Sequence, residues 1–187
     1  SMSSGLVMFM VQSTISTLIK SHPGLSPKRL NYMANNILYE NIGRLKNRLQ
    51  STITVLKLKG AECTYSGFGC DLFLFRSETN DVEIIPVVNT PYLLAFDNGI
   101  PESEYHENTF ILKSGDILLK VSDGITEAPC QGSHRLGMFE SERVRELLIK
   151  HSTCSPEKIK EELVTAVLEY TDNNIYDDIT IVILKKM

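Results

Sequence analysis

Near both ends of the chain, apolar residues recur every three or four positions, which is the spacing of one face of an α-helix. One such stripe follows Ser26-Pro27, a capping serine with proline at the first helical position, and consists of Leu30, Met33, Ala34, Ile37 and Leu38. The same pattern predicts four helices: Ser4 to about Lys20, Ser26 to near Gly43, Glu140–Lys150 and Ser155–Tyr170.

The middle of the chain carries short runs of β-branched and aromatic residues, separated by turn sequences such as Gly67-Phe68-Gly69. Six strands are predicted there: Thr52–Lys59, Glu62–Gly67, Leu72–Arg76, Val82–Val87, Thr109–Lys113 and Ile117–Ser122. A last strand, Asp178–Leu184, is apolar on both faces, so we expect it between other strands and not at a sheet edge. Helices segregated from antiparallel strands indicate the α+β class.

Composition narrows the class of protein. The 187 residues suffice for one domain, and a net charge of −4 argues against nucleic acid or an anionic membrane as the main partner. No apolar run reaches the ~18 residues of a membrane span, so direct membrane insertion is not expected. The four cysteines are scattered without Cys-x-x-Cys spacing, which indicates reduced thiols in a cytoplasmic protein and excludes a zinc ribbon.

Two acidic clusters adjoin predicted strands. Ser122–Glu127 follows the apolar strand Ile117–Val121, and Asp177-Asp178 precedes the last strand. If those two strands are antiparallel neighbours, carboxylates of both clusters lie at one edge of the sheet and repel each other unless a cation binds between them. Mg²⁺ and Mn²⁺ are the cations that prefer carboxylate and water oxygens. Each cluster alone is also compatible with a structural role, because Asp-Gly is a common turn and Asp-Asp marks many solvated strand starts.

Both clusters resemble motifs of the bacterial PPM-type serine/threonine phosphatases of the SpoIIE/RsbU kind. Ser114–Leu119 and Ser122–Ala128 are similar to that family's "Gly-Asp … Asp-Gly-x-x-Glu-Ala" segment, and Asp177–Thr180 is similar to its terminal "Asp-Asp-x-Thr". Tyr65–Gly67 followed by Leu72–Leu74 resembles its "Ser-Gly-His-Pro-Pro" hairpin, although this chain reads Gly67-Phe68-Gly69-Cys70-Asp71 there, without His-Pro-Pro.

The resemblance covers residues 3–187 and implies an α-β-β-α sandwich of two mainly antiparallel sheets flanked by helices, with two Mn²⁺ or Mg²⁺ ions at one edge. It implies that Asp123 and Asp177 are metal ligands, that Gly124 permits the turn beside the metal, and that Asp178 and Thr180 support the site. The metal-bound water is then the nucleophile, and no side chain forms a covalent intermediate.

The resemblance also implies that an N-terminal strand and a further metal-binding aspartate lie upstream of Ser3, Ser1-Met2 being a cloning remnant. We therefore expect the chain as it stands to be nearly inactive, to hold zero or one ion, and to form a homodimer through an exposed sheet edge.

Two functions remain open from the sequence. The first is hydrolysis of phosphoserine or phosphothreonine on a regulatory protein, such as an anti-sigma-factor antagonist in a partner-switching pathway. The second is a phosphatase-like module that binds a partner without turnover. Intact Asp123 and Asp177 favour the enzyme. The family is often the output domain of a longer, membrane-attached sensor, and we expect the domain itself in the cytoplasm.

Overall fold

A computed structural model describes residues 2–42, 51–91, 100–132 and 136–187. They form a mixed fold of helices and antiparallel strands, which confirms the α+β prediction. Its helices are α1 (Met2–Ser21), α2 (Pro27–Ile42), α3 (Asp123–Thr126), α4 (Glu140–Lys150) and α5 (Pro156–Tyr170). Its strands are β1 (Ile53–Lys59), β2 (Glu62–Arg76), β3 (Asp81–Val88), β4 (Asn108–Ile111), β5 (Ile117–Val121) and β6 (Ile181–Lys185). Among the helices so described, none has the length and apolar composition needed to cross a bilayer.

The chain divides into two compact units, and the first comprises Ser1–Gly69 and Val87–Ile111. Helix α1 packs against α2 in this unit, and their shared core also contacts residues of β1. The buried members of that core are Val7, Leu18, Leu30, Ala34 and Leu38. The first half of β2 lies between β1 and β4, and both pairings are antiparallel. Leu30, Ala34 and Leu38 of the stripe predicted for α2 are buried in this core and Met33 packs against it, whereas Ile37 is 38% exposed.

Strand β2 corrects one prediction, because Glu62–Gly67 and Leu72–Arg76 are a single continuous strand. The sequence Gly67-Phe68-Gly69 does not make a turn. Gly67 lies so close to β1 that a Cβ atom there would sit 2.2 Å from the carbonyl oxygen of Ile53. Glycine within a strand often marks such a close approach of two backbones, and this is its role here.

The second unit comprises Cys70–Pro86 and Leu112–Met187. In it, β5 pairs antiparallel with the second half of β2 on one side and with β6 on the other. Helices α4 and α5 pack together, and α5 also packs against β6. Phe73, Leu119, Val144, Leu148 and Leu163 are fully buried in the core that results. This core therefore fixes the end of β5 and the start of β6, which adjoin the two acidic clusters.

The last strand differs from its prediction. Within the described residues, β6 pairs with β5 alone, so it ends the order of strands in its unit and is not flanked on both sides. Ile181 and Ile183 pack against the core, whereas Val182, on the opposite face, is 46% exposed. The prediction that β6 is central was wrong because apolar residues on both faces of a strand do not determine which of its edges are hydrogen-bonded.

A buried carboxylate closes the turn before β5. Asp116 is 1% exposed and accepts hydrogen bonds of 3.0 Å from the backbone N–H of Ser77, the backbone N–H of Lys113 and the guanidinium of Arg76. Burial raises the pKa of the Asp116 carboxyl, but the three donors outweigh this effect and leave the pKa below its ordinary value. The charged form of Asp116 therefore stabilises the folded unit.

We predict that Asp116→Asn lowers the free energy of unfolding by about 2–3 kcal/mol at neutral pH, because the amide keeps only one of the two acceptor oxygens and loses the charge that faces Arg76. A carboxyl whose pKa is lowered on folding stabilises the protein above its unfolded pKa of ~3.9, and this contribution disappears as the pH falls through the folded value. The difference in free energy of unfolding between wild type and variant should therefore shrink in acid. Urea unfolding at pH 7 and at lower pH would measure this difference.

Glu78→Gln is the matched control for this prediction, because Glu78 makes an exposed ion pair with Lys113 on the same turn. We expect little change in its urea midpoint at either pH, since solvent screens such pairs. An Asp116→Asn midpoint equal to that of Glu78→Gln at pH 7 would contradict the role assigned to Asp116.

Candidate metal centre

The first acidic cluster begins where β5 ends. Val121 is the last residue of β5, and Asp123 is the first residue of the short helix α3. The Asp123 side chain is exposed, and its Oδ1 accepts a hydrogen bond of 3.0 Å from the backbone N–H of Gly124. No hydrogen bond or ion pair to a described residue engages its Oδ2. The packed strand thus leads into an exposed carboxylate, one oxygen of which has no partner among the described residues.

The second acidic cluster is joined to the first through Ser122. The Ser122 hydroxyl donates to the carbonyl of Asp178 at 2.9 Å and accepts from the N–H of Thr180 at 2.9 Å. The N–H of Ser122 donates in turn to the carbonyl of Thr180 at 3.0 Å. The strand pairing of Val121 with Ile181 continues directly into these bonds. Asp177 and Asp178 are therefore held at the same end of the β5–β6 pair as Asp123.

Gly124 lies at the closest approach of the two clusters. A Cβ atom on this residue would lie 2.4 Å from the carbonyl oxygen of Asp178 and 3.3 Å from the carbonyl carbon of Asp177. Both contacts are to backbone, which no rotation of a side chain can relieve. The residue that the sequence assigns to a tight turn is therefore required to be glycine by the packing of the two acidic segments.

A cavity of about 220 Å³ opens between these segments. Asp123, Gly124, Glu127, Ala128, Pro129, Tyr176 and Asp177 line it. Three of the five site residues predicted from sequence therefore border one cavity. The other two, Asp178 and Thr180, do not line it but form the backbone bonds to Ser122 that hold Asp177 in place.

The lining also includes residues that the sequence reasoning did not assign to the site, namely Glu127, Ala128, Pro129 and Tyr176. Glu127 could have been found, because it is the glutamate of the Asp-Gly-x-x-Glu-Ala motif and follows Asp123 by one helical turn. Tyr176 carries no such signal, since an exposed aromatic residue beside an acidic pair is unremarkable in sequence.

The charges of the cavity favour a cation. Asp123, Glu127, Asp177 and Asp178 are exposed carboxylates, and none makes an ion pair with another described residue. The Oδ1 of Asp177 accepts from the N–H of Asp178 at 2.7 Å, as that of Asp123 does from Gly124, so each aspartate keeps its second oxygen available. Hard divalent cations take such oxygens, and the donor set of Asp123 and Asp177 fits Mn²⁺ or Mg²⁺.

The fit has a limit in the number of ligands. Over the ranges that the structure describes, no three histidine, cysteine, aspartate or glutamate side chains come close enough together to hold a metal ion. Asp123 and Asp177 would thus supply two protein ligands, and water or further groups would have to complete the six-fold oxygen coordination usual for Mg²⁺.

A basic residue lies near this edge without joining the acidic group. The ammonium of Lys120 on β5 donates to the carbonyl of Cys70 at 2.5 Å. Burial lowers the pKa of Lys120, and the neighbouring Cys70 and Asp71 act in the opposite direction. Burial likewise raises the pKa of the Cys70 thiol, which lies beside both Lys120 and Asp123. The thiol of Cys70, which lies in the segment where the family motif has His-Pro-Pro, therefore favours its neutral form.

Comparison with known proteins agrees with the resemblance seen in the motifs. Residues 1–186 match the family "Stage II sporulation protein E (SpoIIE)". No curated protein matches the sequence. Among solved structures, the PP2C domain of SiaA from Pseudomonas aeruginosa has a TM-score of 0.78 and 17% identity, over 99% of this chain and 71% of that chain.

Two further solved structures are similar. The RsbU and RsbW domains of a Mycobacterium tuberculosis protein give a TM-score of 0.73 and 16% identity, over 98% of this chain and 48% of that chain. The phosphatase domain of SpoIIE from Bacillus subtilis, presoaked with manganese, gives a TM-score of 0.55 and 19% identity, over 94% of this chain and 73% of that chain. At these identities the likeness shows a shared fold. Together with the match over residues 1–186, it shows that the chain belongs to the SpoIIE family of PPM-type serine/threonine phosphatase domains.

Proposed function

We propose that this chain is a metal-dependent phosphatase acting on phosphoserine or phosphothreonine of a regulatory protein. The observation that carries the proposal is the cavity at the end of the β5–β6 pair, where Asp123 and Asp177 present unpaired carboxylate oxygens. A phosphate cannot approach such a group of negative charges unless cations neutralise it. Membership of the SpoIIE family supports the same conclusion.

In this mechanism Asp123 and Asp177 hold Mn²⁺ or Mg²⁺. The metal would lower the pKa of a bound water and neutralise the charge that develops on the phosphoryl oxygens. Gly124 lets the two acidic segments approach each other, while Asp178 and Thr180, through Ser122, fix the backbone from which Asp177 projects. These residues position the ligands and take no part in proton transfer.

A regulatory phosphoprotein, such as an anti-sigma-factor antagonist, is the proposed partner. The support comes from similar structures, one a PP2C domain of SiaA and another in which an RsbU domain accompanies an RsbW domain. A cytoplasmic location fits the four free cysteines of the chain.

The alternative is a phosphatase-like module that binds its partner without turnover. The observation that favours it is the absence, in the described ranges, of any three-residue group able to hold a metal ion. With two ligands in view, we expect the chain to bind at most one Mn²⁺ weakly and to turn over slowly.

The test measures phosphate release from a phosphoserine peptide at increasing Mn²⁺ concentration, in this chain and in the full natural protein, with calorimetric Mn²⁺ titration of both. We expect release that depends on Mn²⁺ and stops when EDTA is added. Tight peptide binding with no release at saturating Mn²⁺ in either protein would reject the enzyme in favour of the binding module.

A further inference from the structure

Tyr176 is a large aromatic side chain left exposed at the mouth of the cavity. It is 53% exposed, lines the cavity next to Asp177, and its hydroxyl makes no hydrogen bond to any described residue. Half-exposed tyrosines are common, but this one borders the cavity in which the proposed chemistry takes place. It has no visible structural task there, since it does not belong to the core of its unit.

The backbone that carries Tyr176 is fixed on both sides. On the N-terminal side, the buried hydroxyl of Thr171 donates to the carbonyl of Asn174 at 2.6 Å, and the Asn174 amide donates back to Thr171 at 3.2 Å. On the C-terminal side, Asp178 is held by Ser122 and packed against Gly124. Tyr176 thus projects from a short span with two anchored ends, which keeps the ring beside the cavity at low entropic cost when a ligand binds.

The wall across the cavity is apolar. Ala128 and Pro129 are both buried, and Pro129 forms a β-bridge with Met138. The N–H of Phe139 donates to the carbonyl of Ala128 at 2.9 Å, which fixes this wall to the start of α4. The cavity lining therefore combines the carboxylates of Asp123, Glu127 and Asp177 with the ring of Tyr176 and the apolar surfaces of Ala128 and Pro129.

We infer that Tyr176 is a specificity-determining residue whose ring packs against a bulky apolar side chain next to the phosphorylated residue of the substrate. The inference rests on the proposed function, and it adds a substrate class: phosphorylated segments with leucine-like neighbours. While the phosphate lies at the metal-binding carboxylates, the adjoining side chain meets the ring of Tyr176 and the wall of Ala128 and Pro129, and leaves water.

The test compares two phosphoserine pentapeptides, one with leucine and one with glycine on both sides of the phosphoserine, at saturating Mn²⁺. We expect kcat/KM to favour the leucine peptide by about ten-fold, the low end for an apolar contact in a half-open site. Tyr176→Ala should lower the leucine preference to about two-fold or less, chiefly through KM, whereas Tyr176→Phe should keep it.

Ile175→Ala is the matched control, because Ile175 is the adjacent exposed apolar residue at 67% and does not line the cavity. It should keep the leucine preference. A preference lost in Tyr176→Phe would assign the effect to the hydroxyl, and one unchanged in Tyr176→Ala would remove Tyr176 from the site. Either result overturns the inference.

The design separates this inference from the proposed function. Hydrolysis of both peptides with no leucine preference leaves the phosphatase intact and overturns the role of Tyr176. If neither this chain nor the full natural protein hydrolyses either peptide, the phosphatase proposal fails, and the same variants are compared by calorimetric binding of the two peptides. Equal binding of both peptides, or binding of neither, then overturns the role of Tyr176 as well.

Discussion

Asp123→Asn in the full natural protein should reduce Mn²⁺-dependent phosphate release at least ~100-fold, because loss of a group that merely orients a metal ligand already costs 10–100-fold and Asp123 is proposed as a direct ligand. The amide keeps an oxygen that can accept from the Gly124 N–H, so the local fold should persist. What the substitution removes is the negative charge that would hold the cation. The effect should therefore fall on metal binding and turnover and not on folding.

Thermal unfolding gives a second readout of the same variant. Without metal, Asp123→Asn should be as stable as wild type or slightly more stable, since it relieves repulsion among carboxylates that no described cation pairs with. With Mn²⁺ at about 100 times the wild-type Kd, wild type should gain about 2.7 kcal/mol and the variant should gain much less.

Asp172→Asn is the control that removes the same charge nearby. Asp172 is exposed, does not line the cavity, and has a left-handed backbone with φ of 56° that asparagine adopts readily. It should leave both Mn²⁺ stabilisation and phosphate release unchanged. If Asp123→Asn matches Asp172→Asn in both measurements, Asp123 is not a metal ligand.

The helices and most strands were predictable because each has a periodic apolar face. Residues 140–150 form the predicted helix α4, and α5 is capped by Ser155, the predicted start of this helix, whose Oγ accepts from the N–H of Lys158 at 3.3 Å. These features depend on local sequence alone. Local signals failed where the role of a residue depends on a distant segment of the chain. Position 67 is glycine because the backbone at Ile53 lies very close to it, and the place of β6 in the sheet depends on which of its edges are hydrogen-bonded.

The candidate site was predictable in part for a related reason. Asp123 and Asp177 each adjoin an apolar strand, so the antiparallel pairing of β5 with β6 was enough to bring them to one edge. The side chains that complete the cavity follow from loop paths that no periodicity encodes. Pro129 and Tyr176 reach it only because backbone hydrogen bonds of Ala128 and Asn174 fix those loops.

Gly124→Ala should damage the same site by a steric route. The new Cβ would lie 2.4 Å from the carbonyl oxygen of Asp178, and that carbonyl is held by the hydroxyl of Ser122. The φ angle of Gly124 is not in the left-handed region, so the substitution meets no conformational barrier of its own. The expected cost is that of overpacking between two backbones, about 1–3 kcal/mol in the free energy of unfolding.

Relief of this clash requires α3 or the segment at Asp177-Asp178 to move, and either movement separates Asp123 from Asp177. Gly124→Ala should therefore be less stable than wild type without metal and should also lose most of the stabilisation by Mn²⁺. Asp123→Asn should lose the stabilisation by Mn²⁺ but keep the stability of the metal-free protein. Gly24→Ala, where a Cβ has nothing within 4 Å, is the control and should lose neither. Thermal unfolding of the three variants with and without Mn²⁺ measures both effects. A Gly124→Ala protein that melts like wild type in both conditions would show that the two acidic segments tolerate separation, and that their close packing does not define the metal site.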